Sequence, residues 1–254
     1  MQDIASGGFG SPSPFGKFSP RVTARFAGGL YLTYIAATVL ATYLRSTLIN
    51  GDAATTTQNI VANSSVLRIA FVTDVFSGVL FFLAAWALFV LLRPVNVNYA
   101  IAFLLLNLAG VAVQCANTLN LFASLQVLTD SSYQAAFSAS QVQAMAMNDI
   151  HLYNNGFMIA QIFFGAWLFP LGYLVYKSRF IPRAIGVLLL VDGFAVLFWF
   201  AQYFLIPSYS LFSDPGLAVS FIAEFGLAVW LVIKAVPASP QFSPDQGGTS
   251  APAR

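Results

Sequence analysis

The chain has 254 residues, 58% of them hydrophobic and 8% charged, with a formal net charge of +2 and a mean hydropathy of +0.76. Soluble domains carry about a quarter of their residues as charges, so this composition leaves no room for a soluble catalytic or nucleic-acid-binding domain, and a charge of +2 bears on orientation more than on an anionic partner. The single cysteine, Cys115, excludes an intrachain disulfide and a thiolate metal cage.

An apolar run of about 20 residues is long enough to cross a bilayer. Six can be placed, at 24–46, 66–92, 99–127, 148–176, 182–206 and 215–236. The expected fold is all-α, a polytopic transmembrane helical bundle of six spanning helices over 21–236, between a flexible N-terminal tail (1–20) and a disordered C-terminal tail (237–254). The first tail lacks the basic and apolar segments of a cleaved signal.

Pro20 suits the start of the first helix, and Tyr34, Thr38, Thr42 and Arg45 recur at helical spacing as one polar stripe. The following loop, NGDAATTTQNIVANSS, holds turn signals and no basic residue, so it reads as short and non-cytoplasmic. The second span carries Arg68 near its outer end and Asp74 deeper, and it stops at Arg93-Pro94. Asn107, Gln114 and Asn117 form a polar stripe on the third span with Gly110; such amides commonly join helices.

Beyond the loop LTDSSYQAAFSAS, Ser140 is the expected cap of a long fourth helix that holds Asp149, the only histidine His151, Asn154, Asn155, Gln161 and a kinking Pro170. Lipid would not tolerate that polar face, since a central charge costs roughly 2.5–3.5 kcal/mol on insertion scales. It should face other helices or a wet cavity. The fifth span carries Asp192, Trp199 and Gln202, and the sixth Ser220 and Glu224.

Basic residues flank the cytoplasmic ends of spans. Lys17, Arg21, Arg25, Arg93, Lys177, Arg179, Arg183, Lys234 and Arg254, nine of the eleven Lys and Arg, fall on one side, which puts both termini in the cytoplasm of a multi-pass inner (plasma) membrane protein. Arg45 and Arg68 fall on the other side and need a local reason.

Two constellations carry candidate chemistry. At the outer rim, Arg45, Arg68, Asp149 and His151, with Asn155 nearby, have the groups to hold a phosphate or carboxylate headgroup, because guanidinium binds such anions bidentately. The bland counterpart is pairing of Arg45 with Asp52 and of Arg68 with Asp149. Deeper, Asp192 and Glu224 suit proton relay or hydrogen bonding to a buried ligand, against helix–helix bonding alone. Asp74, Asn107, Gln114, Asn117 and Gln161 are expected in polar contacts between helices.

One histidine and one cysteine exclude a His-rich zinc site and a two-histidine phosphatase, and the sequence names no metal or cofactor. Serine catalysis through Ser64, Ser65 or Ser213 with His151 lacks a nucleophile-elbow motif. The expected partners are membrane lipids, a small-molecule ligand and other membrane subunits, with no nucleic acid.

GDAATTTQNI, VLRIAFVTD, LLRPVN, DIHLYNNGFMIAQIFFGAWLFPLGYLVYKSRFIPRAIGVLLL and the final acidic helix together resemble an uncharacterised bacterial integral membrane family, domain of unknown function 4386. The resemblance covers roughly residues 20–236, with Gly51, Asp52, Arg68, Pro94, His151, Gly165, Tyr173, Pro182 and Gly186 at matching positions. It implies six or seven membrane helices and brings no established activity. The residues themselves lead to an outward-facing polar cavity that binds or passes a small amphipathic or anionic molecule or lipid. The rivals are an assembly subunit, a proton-coupled transporter and an intramembrane enzyme.

Overall fold

Proline has no N–H to leave unsatisfied in the first turn of a helix, and Pro20 opens the first helix with Ser19 as its cap. From there a computed structural model describes residues 19–207 and 213–234, with 213–219 as backbone only. All its elements are helices: α1 (Pro20–Leu48), α2 (Ala53–Ala62), α3 (Ser64–Leu92), α4 (Val97–Thr129), α5 (Ser131–Ala136), α6 (Ala139–Lys177), α7 (Arg183–Leu205) and α8 (Ser213–Ile233). Apart from Ser19 and Pro20, the expected tails lie outside the described residues, as do Lys17 and Arg254.

Five helices, α1, α3, α4, α6 and α7, are long and apolar enough to cross a membrane. The sixth expected span corresponds to α8, in which Ser220–Ile233 is a shorter apolar stretch. The long helices pack in the order α1, α3, α4, α6, α7, α8, and α8 returns to α1. The bundle is therefore a closed ring of six helices, each resting mainly on two neighbours. Its outer faces carry exposed Phe26, Val72, Phe76, Leu105 and Phe194, an arrangement that water would penalise and lipid would not.

Two apolar cores fill the ring at different heights. Tyr31, Phe81, Leu88, Phe103, Trp167 and Leu171 belong to the one nearer the base of α1. Leu48, Ile60, Leu67, Leu121, Ile150 and Tyr153 belong to the one at the opposite end.

The two expected outer loops are not plain loops. Gly51 takes a left-handed φ of 73°, open to glycine without a Cβ penalty. It turns the chain so that Asp52 can accept the Thr55 N–H at 2.7 Å and start α2. That helix settles among α1, α3, α4 and α6, with Ile60 fully buried. The second loop forms α5, capped by Asp130. The cap of α6 is Ser138, not Ser140: Gln141 completes a capping box with Ser138, which satisfies two backbone donors at once. At 39 residues, α6 is roughly 58 Å long. It runs through Pro170 without ending.

Candidate functional site

Residues three or four apart share a helix face, and Tyr31, Tyr34, Thr38, Thr42 and Arg45 form such a column on α1. The last four line a cavity of about 520 Å³ inside the ring. Every long helix contributes to it: Asp74 from α3, Gln114 from α4, Gln161 from α6, Trp199 from α7 and Glu224 from α8 complete its chemistry. Toward the base of α1, Tyr34 stacks on Phe81 at 4.1 Å, and Phe81 meets Trp167 edge-on at 5.1 Å. These aromatics fill the ring below the hollow.

The charged groups are bonded across helix junctions. Arg45 pairs with Asp74 and donates its other terminal nitrogen to the Thr42 hydroxyl at 2.9 Å. Both partners are mostly buried, with 13% and 9% of their side chains exposed. Tyr31, fully buried, donates its hydroxyl to Glu224. Ser220, one turn before Glu224, donates to Asp192, whose side chain is buried with its second oxygen unpartnered.

Further junctions are tied the same way. Asn117 donates to the Tyr153 carbonyl at 2.8 Å and joins α4 to α6, while the Tyr203 hydroxyl donates to Asn155 at 3.0 Å and joins α7 to α6. Asn107 is fully buried and neither polar atom of its side chain has a partner. Gln161 is nine-tenths buried against the cavity, and among the described residues its amide bonds to nothing.

Several expected pairings are replaced. Asp52 does not meet Arg45. It caps α2, and the Thr55 N–H holds its carboxyl below the usual carboxylate range. Arg68 does not meet Asp149; it is exposed and its guanidinium lies 5.6 Å from the Phe122 ring. Asp149 lines a separate hollow with Gln126 and Tyr133. His151 is exposed and makes no hydrogen bond among the described residues, and the side chain of Ser213 lies outside them.

Helical phase explains the exclusion of Arg68, which lies roughly a third of a turn round α3 from Asp74 and Phe81. His151 lies within about a quarter turn of Asn154 and Gln161 but beyond Tyr153, where the α6 lining of the cavity begins. The rim constellation thus does not assemble, whereas Arg45, Asp74, Gln114, Gln161 and Glu224 share one hollow. Among the residues missed from the sequence are Tyr203, Phe157 and Phe164, which no polar spacing marks, and Tyr31, although its position three before Tyr34 extends the stripe already visible.

The two basic residues on the unexpected side also find their reasons. Arg45 is neutralised by Asp74, and Arg68 rests on an aromatic face.

The model of the family described as a domain of unknown function, DUF4386, matches residues 26–235. A protein of Archaeoglobus fulgidus described as uncharacterized is 28% identical over 153 residues, 59% of this chain and 74% of the relative. No solved structure matches the chain.

Proposed function

The chain belongs to the DUF4386 family, and from the hollow at its centre we propose that it is a multi-pass membrane protein that binds or passes a small amphipathic molecule. The observation that carries this reading is the cavity of about 520 Å³ walled by all six long helices. Ligand sites are commonly hollows of about 300–1,000 Å³, largely apolar with a few placed polar groups. Here Phe81, Phe157, Phe164 and Trp199 supply the apolar wall, and Gln114, Gln161 and Glu224 the polar points.

An unpaired amide in a dry interior costs free energy, a cost that Asn107 carries within the packing and that a polar occupant would relieve at the wall of the hollow. Gln161 faces the hollow unpaired, which favours an occupant. The headgroup role given to Arg68 and His151 is dropped with their exposure.

Native mass spectrometry of the purified protein tests the reading. The wild type is expected to retain a small-molecule adduct, and Val111→Trp, which fills the cavity, to lose it. Equal retention by a folded Val111→Trp protein would overturn it.

A proton-coupled transporter is the second reading. The run Asp192, Ser220, Glu224 and Tyr31 favours it, since hydroxyls placed between or beside carboxyls can hand a proton along. The basic residues Arg21, Arg25, Arg93, Lys177, Arg183 and Lys234 sit at helix ends on one side of the ring, which supports α8 as a sixth span, both termini in the cytoplasm and residence in the inner membrane.

A further inference from the structure

We propose that the occupant of this cavity is a lipophilic organic cation whose charge is met by Glu224. The inference rests on the cavity reading above and adds the sign of the ligand's charge.

Of the charged side chains that line the hollow among the described residues, Arg45 is the only cation, and it is already engaged by Asp74 and Thr42. An anion entering there would face the Asp74 and Glu224 carboxyls with no free guanidinium to receive it. Glu224 stands differently. Tyr31 donates to one of its oxygens, and among the described residues nothing donates to the other. Behind it, Asp192 adds a second acidic group through Ser220.

The uncharged wall suits the same ligand. Cations are attracted to the faces of aromatic rings, most strongly where water is excluded. Tyr34, Phe157, Phe164 and Trp199 present such rings around the hollow. Gln161 places an unengaged amide on the same wall, nine-tenths buried; its carbonyl can accept from an ammonium or its NH₂ can turn away.

Three probes of one shape separate charge from fit: methyltriphenylphosphonium, neutral triphenylphosphine oxide and anionic triphenylacetate. Each is titrated by equilibrium dialysis into the full chain in a non-ionic detergent, with Val111→Trp as the cavity-filled control. The cation is expected to bind saturably and about tenfold or more tighter than either other probe. Glu224→Gln, checked for unchanged elution and melting, is expected to lose about tenfold for the cation and nothing for the oxide.

Triphenylacetate binding as tightly as the cation would overturn the proposal on the wild type alone, whether or not Glu224→Gln folds. So would an undiminished cation affinity in folded Glu224→Gln. If the oxide binds saturably, Val111→Trp abolishes it and charge makes no difference, the cavity reading survives and the cation does not. Should none of the three bind, both fall.

Discussion

The hydroxyl of Tyr31 donates to the carboxylate of Glu224, 193 positions later in the chain. This bond joins the first long helix to the last, so it closes the ring around the cavity.

Tyr31→Phe keeps the ring's packing and removes the donor. A buried acceptor left without its partner costs about 1–3 kcal/mol, so the variant should melt lower than wild type in the same detergent. Phe at this position melting at the wild-type temperature would show that the bond does not hold α8.

Arg45 and Asp74 should behave as a unit. Removing one partner of a mostly buried pair strands the other, at about 3–5 kcal/mol, whereas replacing both with apolar residues is often neutral. Arg45→Leu and Asp74→Leu are each expected to be less stable than the double variant. Chemical denaturation of all four proteins reads the sign, and simple additivity would refute the coupling.

Adjacent glycines on α1 should respond oppositely. A Cβ on Gly28 would lie 2.7 Å from the Ala228 carbonyl oxygen of α8, while one on Gly29 meets nothing within 4 Å. Gly28→Ala must push backbone apart and is expected to loosen α8. Gly29→Ala should instead gain up to about 1 kcal/mol of helix propensity. Melting temperatures of the two variants check the contrast.

Acid should release α2 before the bundle. The folded carboxyl of Asp52 lies below its usual value because the Thr55 N–H favours the ionised form. Its contribution is therefore complete above the unfolded pKa of about 3.9 and is lost as pH falls through the lower folded value. Hydrogen exchange across residues 53–62, corrected for intrinsic rates, should show protection fading below about pH 4. In Asp52→Ala protection should be weak at every pH.

Helical period made much of the cavity legible. Tyr34, Thr38, Thr42 and Arg45 read as one stripe, and all four line the hollow. Gln114, Gln161 and Glu224 were visible as polar residues out of place in apolar spans. Composition and run length likewise carried the all-helical class and positions of the long helices.

Partner choice was less accessible. Asp52 lies seven residues from Arg45 and Asp74 lies twenty-nine away, yet the distant carboxyl wins because α3 lies alongside α1 and the near one is taken by a helix cap. The exclusion of Arg68 was readable in principle, since it lies off the phase of Asp74 on α3, and grouping it with His151 by depth alone hid this. His151 lies within about a quarter turn of Asn154, Asn155 and Gln161, so its helical period carried no such sign. The helices α2 and α5 were masked by turn-forming residues that serve here as caps.

Because the wall of the hollow is finished only by α8, a ribosome must pass residue 224 before the interior acids are shielded. A nascent chain stalled before residue 213 would show membrane quality-control proteases an open groove bearing Asp192 without its Ser220 cover. Biogenesis of this protein should therefore depend on timely docking of α8, and truncations before it should be degraded instead of accumulating as partly working forms.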